Sequence, residues 1–183
     1  MSVRREEPLR RVRMSWEEYL ALPEQPKAEW VDGEAVIMNA PVLFDHGDCV
    51  AQLVVLLVPL FPDRYLVPEV FLHLPRNRVR APDLMLVHDR PADGQVREAP
   101  ALVVEVLSPS TRSEDTIRKS MEYAEGGVGQ YWVVDPELRA IDVWRNVDGE
   151  WELLARVDDA HPTAGVELAG VTVPIDLRQL LRG

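Results

Sequence analysis

Residues 82–107 read PDLMLVHDRPADGQVREAPALVVEVL. Two short apolar runs, Leu84–Val87 and Leu102–Leu107, flank a polar stretch rich in turn formers. Runs of this length and composition are β-strands, and the spacer folds them back on each other as an antiparallel pair. That pairing sets residue 83 roughly opposite 105 or 106, so Asp83 and Glu105 emerge near the same end of the hairpin. A carboxylate inside so apolar a strand is costly unless it is paired or metal-bound. Two carboxylates converging with a backbone carbonyl, that of Val106, form an oxygen-donor site suited to Mg²⁺. Such an ion lowers the pKa of a bound water and neutralises charge on a phosphodiester. The competing reading is structural: Glu105 pairs with an arginine, and Asp83 simply opens a strand.

Upstream, Ser15 with Glu18 three residues on is the capping box of a short helix that Pro23 and Pro26 end. Asp32-Gly33, between 28–31 and 34–38, predicts a tight hairpin. Asp45 is expected to cap a helix over 46–58, apolar nearly all round and therefore buried. The run 65–74 reads as extended, with Pro68 as a bend or edge feature.

Downstream, Thr111 and Glu114 predict a helix from Arg112 to about Glu125. Its expected buried stripe is Ile117, Met121 and Ala124, and Gly126-Gly127 is its stop. The apolar run 130–134 predicts a strand, and 140–145 with 151–156 a second hairpin across Asp148-Gly149. A last extended piece is expected over 170–176 and a short helix over 177–181. Strands, a helix, then strands again define an α/β or α+β fold, a mixed β-sheet flanked by helices with additional β-hairpins.

The 183 residues suit one domain. Residues 1–13, with Arg4, Arg5, Arg10, Arg11 and Arg13, are expected to form a flexible basic arm ahead of a single domain over 14–183. The lone Cys49 excludes an internal disulfide framework and a cysteine-rich zinc site. No stretch approaches the roughly 18 apolar residues of a membrane span, and the N-terminus lacks a signal peptide's apolar core. A soluble, cytoplasmic protein with no membrane partner is the expectation. The net charge of −11 argues against tight, non-specific nucleic-acid binding. Phosphate-cradling glycine loops, dinucleotide fingerprints, G-x-S-x-G elbows and H-E-x-x-H motifs are all absent from the sequence. Lys27 and Lys119 are the only lysines beside 18 arginines. Either one is a chance surface residue or a place where a compact ammonium is required.

Pro82-Asp83, PALVVEVLSPST at 100–111, D-x-x-x-K at 115–119 and YWVVDP at 131–136, joined by AEWVDGE at 28–34 and His46, resemble the Uma-type restriction endonuclease family. That family belongs to the PD-(D/E)xK nuclease superfamily, and the resemblance runs from about Met14 to the C-terminus. It implies a restriction-endonuclease-like core in which Asp83 and Glu105 bind Mg²⁺ (or Mn²⁺). The superfamily places a lysine two residues after the glutamate, where this chain has Leu107. Lys119, on the following helix, is the substitute, orienting the attacking water and stabilising negative charge. Its alternative is a surface ion pair with Asp115. Glu29 matches a recurring family acid and either joins the ligand set or is a solvated hairpin charge. His46 is a phosphate contact or a structural histidine. Ser108, Ser110 and Thr111 either bind phosphate at the helix N-terminus or cap it. Tyr123 and Tyr131 lie near the site or pack in the core.

The resemblance implies Mg²⁺-dependent hydrolysis of DNA phosphodiester bonds, with weak or structure-dependent DNA binding and a homodimer serving both strands. The alternative is a nuclease fold kept as a catalytically inactive binding or scaffold protein.

Overall fold

The computed structural model describes residues 9–23, 26–38, 43–108 and 114–182. The chain opens with β1 (Leu9–Arg13), helix α1 (Trp16–Leu20) and a hairpin of β2 (Ala28–Val31) and β3 (Glu34–Met38). Helix α2 (Phe44–Leu57) leads to β4 (Tyr65–Val67), β5 (Leu72–Leu74) and β6 (Arg78–Arg80). The hairpin of β7 (Leu84–Val87) and β8 (Leu102–Val106) comes next. A π-helical turn over Glu114–Lys119 runs directly into α3 (Ser120–Glu125). Strands β9 (Gln130–Asp135), β10 (Ala140–Val147), β11 (Glu150–Val157), β12 (Thr163–Leu168) and β13 (Val171–Asp176) complete the sheets, and α4 (Leu177–Leu180) ends the chain.

Among the described residues the strands form three sheets, ordered β1-β3-β2-β6-β5, β11-β10-β9-β8-β7-β4 and β12-β13. The mixed α+β architecture is the one expected. Only the β8–β9 pairing is parallel among the named strands, and a parallel neighbour requires a crossover. The segment carrying α3 supplies it. In the β7–β8 hairpin Leu84 faces Val104 and Leu86 faces Leu102. The same register extended by one step sets residue 83 across from 105.

Side-chain alternation divides the two strands between two cores. Leu84, Leu86, Leu102, Val104 and Val106 pack with Cys49, Leu53 and Leu57 of α2 and with the β12–β13 hairpin. Met85, Val87 and Val103 face the other way, toward Leu72, Leu74, Tyr123 and Tyr131. Each buried aliphatic side chain contributes about 1.5–3 kcal/mol. A one-residue slip would exchange the two faces, so the register that aims Glu105 is strongly specified. A third cluster joins Tyr19 of α1 to Trp30 and Val79, and the Ser15–Glu18 capping box is present as predicted.

Several expectations need correction. Residues 9–13 are no flexible arm but an edge strand, with Arg11 opposite Val36 on β3. The pairing satisfies backbone groups that the β3 edge would otherwise expose. Residues 1–8 lie outside the described residues. Helix α2 begins at Phe44 on an N-cap, Leu43, that makes no side-chain hydrogen bond. Asp45 sits inside the first turn, where its charge still favours the positive helix end. That helix is not buried all round: Cys49, Leu53 and Leu57 are buried, but Val55 is 67% exposed, because only one face meets the sheet. The run 65–74 divides at Pro68-Glu69, where Glu69 has φ +55°, and its halves join different sheets. Strand β12 was not anticipated; it pairs along its whole length with β13. No described helix is long and apolar enough to cross a membrane.

The α2 face gives a direct test. Leu53→Ala should lower unfolding stability by about 2–5 kcal/mol, whereas Val55→Ala should change it by less than about 0.5 kcal/mol. Urea titrations of the two variants check this, and equal losses would contradict the packing face described.

Candidate active site

Asp83 lies just before β7 and Glu105 lies within β8, directly across the hairpin. The Asp83 carboxylate accepts the Val106 backbone N–H at 2.7 Å and has His46 Nε2 at 3.4 Å. Burial works to raise its pKa, yet the hydrogen bond and charge of His46, with Lys119 and the Val106 N–H, hold it below its usual value. Burial likewise works against the His46 cation, but Asp83 and a backbone acceptor at Val106 outweigh it and raise the imidazole. Glu105 is buried. Its Oε1 accepts from Lys119 Nζ at 3.1 Å and from the Tyr123 hydroxyl at 2.6 Å.

Lys119 reaches Glu105 because of how its helix is wound. A regular helix with the predicted stripe would bury Ile117 and Met121, but these are 63% and 59% exposed. The π-helical turn ending at Lys119 changes the angular phase of α3 relative to that stripe. Lys119, Glu122 and Tyr123, spaced i, i+3 and i+4, then share the inward face. Lys119 is only 4% exposed, so it is not a surface ion-pair partner. Its ammonium lies 3.1 Å from Glu105 and 3.3 Å from Glu29. Burial raises the Tyr123 hydroxyl far above its ordinary pKa, and the Glu105 charge adds to this, so the phenol stays a donor.

Glu29 is 1% exposed and no solvated hairpin charge. It accepts from Arg80 Nη1 at 2.8 Å and from the Ala81 backbone at 3.0 Å. Burial opposes its ionisation, but Lys119 and Arg80 overcome that and lower its pKa from 4.5 to about 2. Arg80, fully buried, turns its other edge to Glu122 in a bidentate pair at 2.6 and 2.9 Å. Sequence reasoning missed Arg80 and Glu122. The spacing of Glu122 three residues after Lys119 was the available signal; nothing local marks Arg80 as buried. Ser108 is half-buried just past β8. Ser110 and Thr111 lie outside the described residues.

The inner group has four carboxylates (Glu29, Asp83, Glu105, Glu122) and two permanent cations, Lys119 and Arg80. Arg78 and Arg118 also approach Glu122, at 3.9 and 4.0 Å, and His46 adds a further positive charge when protonated. Among the described residues no three His, Cys, Asp or Glu side chains are arranged to hold a metal together. A hard divalent cation needs only one or two carboxylates when waters fill its other positions. The all-oxygen donor set of Asp83 and Glu105 fits that requirement.

A family model described as Uma2, putative restriction endonuclease, matches residues 16–176. The chain belongs to the Uma2 family. Its fold is also that of a solved structure described as a putative nuclease belonging to DUF820 from Anabaena variabilis. The two superpose with a TM-score of 0.72 at 20% sequence identity, covering 90% of this chain and 96% of the other. No curated protein matches this sequence. In this Uma2 member, of the residues that carried the resemblance, Glu105, Lys119 and Glu29 share one ion-paired network, and the His46–Asp83 pair lies within electrostatic reach of Lys119.

Two outcomes are expected from that network. Arg80→Leu leaves Glu29 and Glu122 buried without their guanidinium, and should cost about 3–5 kcal/mol of stability in a denaturant titration. Glu29, with its folded pKa depressed, contributes stability above about pH 4.5 that is lost as pH falls toward about 2. Unfolding free energies across that window should slope less steeply for Glu29→Gln than for wild type; identical slopes would refute the assignment.

Proposed function

We propose that this chain is a Mg²⁺- or Mn²⁺-dependent nuclease that hydrolyses DNA phosphodiester bonds. The observation that carries the reading is the arrival of the Lys119 ammonium at Glu105 from the π-helical turn ahead of α3, although the usual strand position holds Leu107. Asp83 and Glu105, with the Val106 carbonyl, are the residues that would hold the cation. When bound, it supplies Lewis acidity and a water of lowered pKa.

The remaining work falls to the protein's own groups. The Tyr123 hydroxyl fixes the Glu105 rotamer by donating to Oε1. Lys119, placed between two carboxylates, is a hydrogen-bond donor and positive charge suited to orienting a water and stabilising a phosphoryl oxygen. Arg80 holds Glu29 and Glu122 rigid around it, so this donor is in place before substrate arrives. His46, beside Asp83 at the start of α2, is the candidate phosphate contact.

A second reading, a nuclease fold retained as a binding module, is favoured by the network itself. His46 stands beside Asp83 and Lys119 beside Glu105, so these carboxylates already have protein partners. The readings separate experimentally. On the nuclease reading, calorimetry detects a divalent cation bound by wild type but not by Glu105→Gln. Plasmid cleavage falls about 10²–10³-fold in Lys119→Met and is abolished in Asp83→Asn. Undiminished cleavage by purified, folded Asp83→Asn and Glu105→Gln would overturn the assignment. Neither cation binding nor cleavage by wild type is the result the binding-module reading requires.

A further inference from the structure

The sheet face that carries Glu105 continues past it. Register pairs Glu105 with Val133 on β9, Val133 with Asp142 on β10, and Asp142 with Arg156 on β11. Register partners share a face, so Glu105, Val133, Asp142 and Arg156 form one row across four strands. At the usual interstrand spacing Asp142 stands about 10 Å from Glu105. Two residues along the same face, Tyr131 pairs with Trp144. A β-bulge at Val143/Trp144 shifts the β10–β11 register there, so Trp144 meets Leu153. Bulges commonly re-aim a side chain beside a site.

Ser120, Tyr131, Val133, Asp142, Trp144 and Trp151 line a half-open pocket of about 360 Å³. It is tied to the catalytic candidates at two points. The Trp151 indole N–H donates to the Ser120 carbonyl at 2.9 Å, and Ser120 directly follows Lys119. The Tyr131 ring meets Tyr123 edge-on at 5.5 Å, and Tyr123 donates to Glu105. The lining is therefore three aromatic side chains, Val133 and Ser120, with a single carboxylate among them.

That carboxylate is already engaged by Arg156 Nη1 at 2.9 and 3.1 Å, a guanidinium that also lies 3.6 Å from Asp158. Burial raises the pKa of Asp142, against the opposing effect of Arg156. A carboxylate accepts about four hydrogen bonds in all, so it retains capacity for further N–H donors. Aromatic faces with one acidic acceptor match a planar ring that bears an amino group. A net charge of −11 limits affinity through phosphate contacts, whereas base stacking does not depend on that charge. A base paired within a duplex cannot offer its face.

We propose that this cavity receives an unpaired, amino-bearing nucleobase, stacked against Trp144 and Trp151 with its exocyclic amine donating to Asp142. The inference rests on the nuclease reading only for its purpose, which is to set a single-stranded or locally opened strand beside Glu105. The test is fluorescence anisotropy of labelled oligodeoxycytidine, oligodeoxythymidine and a duplex, with wild type in chelator so that nothing is cut. Oligodeoxycytidine should bind at least about tenfold tighter than the other two. Trp144→Leu should weaken it about tenfold or more, Trp144→Phe should retain it, and Asp142→Asn should erase the preference over thymidine. Equal binding by wild type and a folded Trp144→Leu, or no single-strand binding at all, overturns the cavity's role. Should Trp144→Leu fail to fold, Asp142→Asn decides alone, and an unchanged base preference there overturns it. Plasmid cleavage with Mg²⁺ that persists without single-strand binding removes the cavity proposal and leaves the nuclease reading standing. Cavity-dependent binding without cleavage in either cation does the reverse.

Discussion

A guanidinium held without solvent contact, between two carboxylates from different parts of the chain, is the constraint around which the site is organised. Removing Arg80, Glu29 and Glu122 from water costs several kcal/mol per ion, recovered only when charge and hydrogen bonds are matched closely. Arg80 matches them by giving one edge to Glu29 on β2 and the other to Glu122 on α3. The pairing ties the five-stranded sheet to the helix that crosses the six-stranded one. Because Glu29 also accepts the Ala81 N–H, two residues before Asp83, the brace extends to the backbone leading into β7. It acts beside the Lys119–Glu29 and Arg78–Glu125 pairs, and together these polar contacts fix side-chain angles that apolar burial alone leaves free.

This brace lets a lysine from a helix do what a strand position would otherwise do. Leu107 is buried in the core, so β8 carries no second polar side chain beside Glu105. The cationic end of the site has moved to an element whose orientation is set by Glu122 and Tyr123, the next inward residues of the same face. A network in which every member is held by another is the arrangement that keeps a polar core unique rather than merely tolerated.

What the sequence disclosed depends on the range of the interactions concerned. The hairpins at Asp32-Gly33 and Asp148-Gly149 were legible because turn chemistry is local, and Asp32, Gly33, Asp148 and Gly149 all have positive φ. The convergence of Asp83 and Glu105 was legible for a similar reason, since one hairpin register settles it. Arg80 was not, because its partners lie 42 and 51 residues away, and R-V-R on a strand looks like a solvated edge. The run 9–13 is opaque for that reason too: Arg10, Arg11 and Arg13 conceal a strand that needs only one covered face. Strand β12 escaped notice because Gly165 interrupts its pattern, and only its long pairing with β13 defines it. The stripe through Ile117 and Met121 failed because a 3.6-residue period was assumed across a segment that does not keep it.

That last departure bears on which changes to the chain the site can absorb. In a regular helix each residue turns the next by about 100°. Deleting one residue from 114–118 would swing Lys119, Glu122 and Tyr123 together around the helix axis, off Glu105 and Arg80 at once. Replacing the exposed Ile117 disturbs none of those contacts. Selection would therefore hold the length of this stretch fixed even where, as at Ile117, it leaves the identity of a residue free.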